Sequence, residues 1–404
     1  FILRRTQEIQ EEAALECHLL LLDWEKAFDK VDQGRMIKAI KRLGLPEKII
    51  NMIAAIYQAP NYVTTDKGTT TRPRIQKTGI RQGCPLSPYL FIMLMTVIMH
   101  DVDRGMSEDE KQKIQAGRLH KEVSGRLFYA DDTIIMANTA EAAEIVLHKI
   151  QYESHKYALK LNETKCIHIQ MNGIHRIHYN NGNAVPIKEQ AEYLGGKIKN
   201  DSSYKMEIQS RIGATWGTVR KLDLLWGKSQ ASIRWKLLVF DAVIVAKLLY
   251  GLTSIPLTQA DCNKIDAFQM RGLRKILKIK HPYWSRISNN AILQTANQRL
   301  DPKAKKIERL SSKLIQRQIV LYAHIIRLDN NDPMKRISTD DEGDRVKSDF
   351  KRRGRPRMKW YNTTRGKVIK RLIGDGLLPP EATRIMTMSE INEVIRQCAL
   401  ERLI

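Results

Sequence analysis

The sequence predicts an α+β fold, and three observations carry the prediction. Short apolar runs that read as strands alternate with helical patterns through about residue 200, and long amphipathic helices take over afterwards. Two adjacent carboxylates, Asp131 and Asp132, lie between the apolar runs Arg126 to Ala130 and Thr133 to Ala137, the pattern of a β-hairpin with the aspartates at its turn.

In chain order, Thr6 to Glu16 has helical character and Cys17 to Leu22 is an apolar run ending at Asp23, read as a buried strand. Helical patterns follow at Gln33 to Leu43 and Pro46 to Gln58, with Gly44 as a stop and Pro46 suited to a first turn. Tyr62 to Gln76 alternates like a hairpin, and the Gly/Pro-punctuated loop Gly79 to Pro88 feeds a helix from about Tyr89 to Asp103. Residues 104 to 122 are charged and aperiodic, the pattern of a surface loop. After the Asp131-Asp132 hairpin come a helix over Ala140 to Leu159, a strand over Lys165 to Met171 and a turn at Asn180 to Asn183. Tyr204 to Trp226, Ser232 to Tyr250, Ala260 to Lys278 and Ala304 to Arg327 read as helices. The acidic stretch Asp329 to Asp349 reads as a linker, and Lys351 to Arg357 is a basic cluster directly after it.

Composition bounds the function. The chain has 404 residues and a net charge of +24, which implies a polyanionic partner, nucleic acid ahead of a membrane surface. Residues 1 to 200 carry 28 Lys and Arg against 24 Asp and Glu, whereas residues 201 to 404 carry 40 against 20. A nearly neutral half suits a metal site, and a basic half suits a nucleic-acid grip. The five cysteines are far apart, which argues against a zinc knuckle or a disulfide framework and fits a reducing compartment. No apolar run is long enough to span a bilayer, so no membrane is expected as a partner. The chain begins with Phe1, and a piece of a longer protein is the expectation.

Two carboxylates at one hairpin tip raise each other's proton affinity unless a cation joins them, and hard oxygen donors are what Mg²⁺ or Mn²⁺ takes. A solvated Asp-Asp turn is the other reading of the same residues. Asp23, at the end of a distant strand, supplies a second carboxylate centre. Two strands delivering aspartate to one point is the arrangement that two-metal phosphoryl transfer requires.

Three segments, Leu22 to Asp29 (LDWEKAFD), Gly79 to Pro88 (GIRQGCPLSP) and Phe128 to Asp132 (FYADD), resemble in order the A, B and C motifs of reverse transcriptases of non-LTR, LINE-like retrotransposons. Leu161 to Lys165 is similar to the D motif, and Glu192 to Gly195 to the primer-grip E motif. The resemblance continues through Lys264 to Phe268 and Arg271 to Leu277 into Arg353-Gly354-Arg355-Pro356-Arg357.

The resemblance implies a right-hand polymerase palm, an antiparallel sheet with packed helices, with partial fingers over residues 1 to 200. A helical thumb at 201 to 260 and a basic helical nucleic-acid-binding region at 261 to 404, with its linker at 329 to 349, would follow. It further implies Asp23, Asp131 and Asp132 as the ligands of two Mg²⁺ ions, Mn²⁺ being possible, with a backbone carbonyl from Trp24. Lys165 would be the general acid toward pyrophosphate. Phe28 would be a steric gate against the ribose 2′ hydroxyl, and Arg81, Gln82 and Gly83 would line the nucleotide pocket. Arg81 reads equally as a template-phosphate contact or as a cap on the following helix. Tyr193, Leu194 and Gly195 would form the primer grip. Arg271, Arg274, Lys275 and Lys278 would face a duplex, and Arg353, Arg355 and Arg357 would form an AT-hook-like or nuclear-localisation cluster. Glu25 and Asp29 read as structural, paired with Lys26 or Lys30. His168, His175 and His178 read as strand-surface histidines rather than metal ligands.

The implied reaction is addition of dNTPs to a DNA 3′ hydroxyl on an RNA template, primed at a target DNA duplex in the nucleus. The match departs in its start, because the upstream fingers region and an endonuclease domain lie outside this sequence. A catalytically inactive nucleic-acid-binding remnant and a group II intron-type reverse transcriptase are the rival readings. Against the latter stands the Arg81 to Pro88 form of motif B.

Overall fold

The structure, a computed structural model, describes residues 1–58, 60–116, 125–340, 343–346, 358–401 and 403. It is a mixed α+β fold that divides into two compact units. One comprises Ala14–Leu194 with Ile198–Asp201, and the other Phe1–Ala13, Gly195–Lys197 and Ser202–Ile404. No helix among the described residues is long and apolar enough to cross a membrane.

The first unit is built on β1 (Cys17–Leu22). Two short ladders follow it, β2 (Asn61–Tyr62) with β5 (Arg74–Ile75) and β3 (Thr65–Asp66) with β4 (Thr69–Thr70). Then come β6 (Arg126–Tyr129), β7 (Asp132–Ala137) and β8 (Ile167–Met171), which join β1 in an antiparallel sheet of order β6-β7-β1-β8. The register pairs Leu22 with Thr133 and Leu21 with Ile134 on one side, and Leu20 with His168 on the other. All six residues of β1 are buried, as expected of a central strand covered on both faces whose sequence is apolar except for His18.

Helices Ser87–Arg104 and Ala140–His155 supply one cover, their Leu90, Phe91, Leu94, Ile98, Leu147 and Ile150 closing over Leu20, Leu22 and Ile135. Burying side chains of that size is worth about 1.5–3 kcal/mol each. Thr139 starts the second helix by accepting the Ala142 N–H at 3.2 Å. The charged stretch expected as a loop is helical over Glu108–Ala116, an exposed helix opened by three acidic residues that complement its N-terminal dipole. A hairpin of β9 (Gln190–Tyr193) and β10 (Gly196–Lys199) follows, and the division between the units falls within it.

The second unit is helical, with Lys205–Lys221, Ile233–Val239, Gln259–Leu277, Asn289–Gln298, Leu310–Arg327, Trp360–Gly374 and Met388–Leu400 as its main helices. The helix expected from Ala304 begins at Leu310. The acidic stretch read as a linker is packed in its described part, with Ile337 and Ser338 fully buried. The N-terminal helix Ile2–Ala13 belongs to this unit. Its Glu8 is buried and accepts from Arg5 (2.8 Å), the Tyr204 hydroxyl (3.1 Å) and the Trp360 N–H (3.1 Å). Lys359 donates to the Glu8 carbonyl at 2.7 Å and to the Glu11 carboxylate at 2.9 Å.

Candidate active site

Asp23 follows directly on β1, and neighbouring backbone holds it in place. Its carbonyl accepts the Asn162 N–H at 2.8 Å, while the Glu25 N–H goes to the Lys160 carbonyl at 2.9 Å, the two bonds flanking a bridge between Trp24 and Leu161. The Asp23 N–H reaches the Cys166 sulfur at 3.4 Å. Trp24 is buried and its indole donates to the Thr133 hydroxyl at 3.3 Å, which ties the end of β1 to the residue after Asp132. Asn162, Cys166 and Thr133 are positioning residues that were not singled out from sequence. Asn162 was within reach of such reasoning, as part of the D-like motif.

The hairpin pairs Tyr129 with Asp132, leaving Ala130 and Asp131 as a two-residue turn. Ala130 takes a left-handed φ of 53°, a strained choice for a residue with a Cβ. The turn exposes both aspartates at the tip. The Asp132 carboxyl is nonetheless pushed above the usual carboxylate range, first by burial and then by the negative charges of Asp131 and Asp23. Asp23 therefore acts on Asp132 through space, although the two come from segments a hundred residues apart.

Beyond Trp24 the backbone turns at Lys26 (φ 49°) into a single helical turn, Ala27–Lys30. Glu25 pairs with Lys30, as expected. Asp29 has no lysine partner among the described residues and accepts from the Gln82 amide at 3.0 Å. Phe28 is half-buried and stacks on Phe91 with ring centroids 4.7 Å apart. Gly79 presses against this turn. A Cβ there would lie 2.7 Å from the Asp29 carbonyl oxygen and 2.9 Å from that of Phe28, and its φ of 86° also favours glycine. The Gly79 and Ile80 N–H groups bond the Val31 and Phe28 carbonyls at 2.8 and 2.6 Å, and Gln33 donates to the Gly79 carbonyl at 2.9 Å.

Gln82 and Gly83 are exposed, and nothing lies within 4 Å of where a Gly83 Cβ would stand. The Arg81 guanidinium donates to the Ile56 carbonyl at 3.2 Å, in the last turn of helix Glu47–Tyr57. It thus closes the end of the preceding helix. The following helix, Ser87–Arg104, has no side-chain cap at its start, and the Ser87 hydroxyl donates to the Arg81 carbonyl outside it.

Lys165 is exposed on the turn before β8, its N–H bonded to the Asn162 carbonyl at 3.0 Å. Leu194 and Gly195 form the turn between β9 and β10 with positive φ at both positions, 48° and 70°, the type I′ requirement. The Tyr193 hydroxyl pKa is raised to about 12, by burial first and then by the Asp132 charge.

Among the basic residues, Arg271 and Lys278 are exposed and Lys275 pairs with Asp223 at 2.9 Å. Arg274 is turned inward, because its guanidinium donates to the Lys280 and Ile287 carbonyls at 3.2 and 2.6 Å and to Ser285 Oγ at 3.2 Å. Burial and these bonds take it out of any duplex-facing row. Arg353, Arg355 and Arg357 lie outside the described residues. His168 is not on the surface. It is fully buried, its Nε2 2.9 Å from His18 Nδ1, with Glu16 on the far nitrogen of His18 at 3.0 Å. Both faces of β8 are packed near its centre, so the polar alternation that places histidine outside does not hold there.

Among the described residues no group of three or more His, Cys, Asp and Glu side chains is drawn close enough to hold a metal ion. The aspartates still fit a divalent cation by donor chemistry. They are hard oxygens, and Asp132, whose proton affinity is raised first by burial, also feels the negative charges of Asp131 and Asp23 that a cation would relieve.

The family described as reverse transcriptase (RNA-dependent DNA polymerase) matches residues 2–198, which include the three aspartates. Residues 2–198 form a reverse transcriptase domain related to those of non-LTR retrotransposons. The chain is 30% identical over 152 residues to the Pol polyprotein of the type-1 retrotransposable element R2 of Nasonia vitripennis, covering 37% of this chain and 14% of that protein. It is 20% identical over 292 residues to the probable RNA-directed DNA polymerase from transposon BS of Drosophila melanogaster, covering 67% of this chain and 30% of that protein. The chain thus spans less than a third of either relative. Apo telomerase from Candida tropicalis aligns at 13% identity and a TM-score of 0.42, covering 98% of this chain and 55% of that one, a similarity too low to bear on the fold.

Proposed function

We propose that this reverse transcriptase domain adds deoxynucleotides to a DNA 3′ hydroxyl on an RNA template, at a site made by Asp23, Asp131 and Asp132. The observation that carries the reading is the influence of Asp131 and Asp23 on Asp132, which draws the ends of β1 and the β6-β7 hairpin into one electrostatic centre. The first unit acts as a palm, residues 201–260 as a thumb and residues 261–404 as a basic nucleic-acid-binding region.

Asp23, Asp131 and Asp132 would hold Mg²⁺ or Mn²⁺, with the Trp24 carbonyl as a further oxygen. Bound there, the ions supply charge stabilisation to phosphoryl transfer. The chain's own residues position the reactants. Phe28, fixed by Phe91, meets the sugar edge of the incoming dNTP, and the open backbone at Gly83 admits its base and phosphates. Tyr193 borders the primer end and Lys165 is the proton donor toward pyrophosphate. The setting is target-primed synthesis on nuclear DNA, as the retrotransposon relationship implies.

Primer extension by the 404-residue chain on an RNA template with Mg²⁺, beside Asp131→Asn, tests this. Extension abolished in the variant is expected. Extension that survives in Asp131→Asn would remove the triad, and absent extension with salt-dependent primer-template binding would favour a nucleic-acid-binding remnant.

A further inference from the structure

We infer that Tyr283 and Trp284 form a base-stacking platform for single-stranded nucleic acid on the helical unit. The two rings are 64% and 74% exposed, on the one-turn helix Pro282–Ser285 that follows the long helix Gln259–Leu277. They meet edge to face at 4.9 Å, and the Arg286 guanidinium lies 5.7 Å from the Tyr283 ring centroid. What sets them apart from the other exposed apolar side chains is that two adjacent rings meet with a cation beside them, which leaves aromatic surface in water for a base to stack on.

The presentation is fixed from below. Buried Arg274 binds the Lys280 and Ile287 carbonyls, Ser285 Oγ at 3.2 Å and Asn289 Oδ1 at 3.5 Å, gripping the loop on both sides of the rings. His281 caps the turn by accepting the Tyr283 N–H at 3.3 Å. Rigid rings lose little entropy when a base stacks on them.

The surroundings point to a polyanion. Residues 267 to 300 contain no Asp or Glu but seven Lys and Arg, of which Lys278, Lys280 and Arg286 are exposed and lie within six residues of the rings in sequence. Aromatic faces set among cations are how proteins hold unpaired strands, each base stacking for about 1–3 kcal/mol while the cations track phosphate. A duplex hides its base faces and has no use for the rings. The class of ligand rests on the proposed polymerase function, which requires an unpaired template or displaced strand; the platform geometry does not.

The test is anisotropy of fluorescein-labelled oligo-U and oligo-dT single strands and of a duplex of equal length, with the full chain and its Tyr283→Ala/Trp284→Ala variant. Both rings are exposed, so the variant is expected to unfold at the parent temperature. Single-strand affinity should fall at least about tenfold, duplex affinity less than about twofold, and the salt slope should stay unchanged. Trp284→Phe should recover most of the loss. The strand type losing more identifies RNA or DNA. Unchanged single-strand affinity, or equal loss on duplex, would overturn the platform. So would loss confined to self-association or to binding of anionic phosphatidylserine vesicles, which would make the rings a protein or membrane contact. Asp131→Asn should bind single strands like the parent, so a platform that works in a chain without extension activity separates this inference from the polymerase reading.

Discussion

Gly79 lies against the backbone of Asp29 so closely that a Cβ on it would stand 2.7 Å from the Asp29 carbonyl oxygen. This contact joins the segment leaving Asp23 to the loop that carries Arg81, Gln82 and Gly83, and the Gln82 bond to Asp29 seals it. Gly79→Ala should therefore destabilise the first unit, since the φ of 86° alone costs about 1–2 kcal/mol in a residue with a Cβ and the backbone clash adds to it. Gly83→Ala shares the positive φ but meets open space, so it should cost only the backbone part. Denaturant midpoints of the two variants check the difference, and equal midpoints would count against the contact.

The Asp132 carboxylate sits in a field made by burial and two other carboxylates. Its folded-state pKa is raised, so the stability it contributes is present below the unfolded carboxylate pKa and is lost as pH rises through the folded value. At neutral pH without divalent cations, Asp132→Asn should thus raise the melting temperature while synthesis falls by at least about a hundredfold, given the several kcal/mol of charge stabilisation at stake. Added Mg²⁺ should raise the melting temperature of the parent and leave the variant unmoved. A variant less stable than the parent under these conditions would remove the repulsion.

Phe28→Val removes the ring stacked on Phe91, which should cost about 0.5–1.5 kcal/mol beyond the lost burial. The same substitution is expected to raise ribonucleotide incorporation relative to deoxynucleotide. Unaltered sugar selectivity in a folded variant would leave Phe28 as a core residue only.

The buried His18–His168 pair gives the sheet an acid limit. His168 is held down at about 4, by burial first and then by His18. His18 is lowered by burial and further by His175, while Glu16 raises it. Because the unfolded chain binds more protons than the folded one between about 4 and 6.5, stability should fall as pH drops through that window, by up to about 1.4 kcal/mol per pH unit per proton. Melting temperature against pH should flatten there in His168→Gln.

The strand ending at Asp23 and the hairpin carrying Asp131 and Asp132 were legible because apolar run length and turn chemistry are local properties. What the sequence hid depends on packing. Alternation in β8 points His168 outward, but a strand with both faces covered has no outside. The charge of Arg274 groups it with exposed neighbours, yet the Lys280 to Asn289 loop folds over it. Gly79 looked like one punctuation mark among several until the Phe28–Asp29 backbone was seen against it.

The same limit applies to Glu8, whose partners are about 200 and 350 residues away. It is buried in the N-terminal helix and accepts from Arg5, Tyr204 and the backbone of Trp360. Glu8→Ala would remove the carboxylate from the buried Arg5 guanidinium, which also donates to the Val346 carbonyl at 3.1 Å. Breaking one side of such a pair costs about 3–5 kcal/mol, against well under 1 kcal/mol for an exposed pair such as Arg396–Glu393. The loss should fall on the helical unit, because the N-terminal helix packs there. Hydrogen exchange of Glu8→Ala should therefore rise in helices Trp360–Gly374 and Lys205–Lys221 and stay unchanged in β1 and β7. Faster exchange confined to the sheet would place the N-terminal helix with the wrong partner.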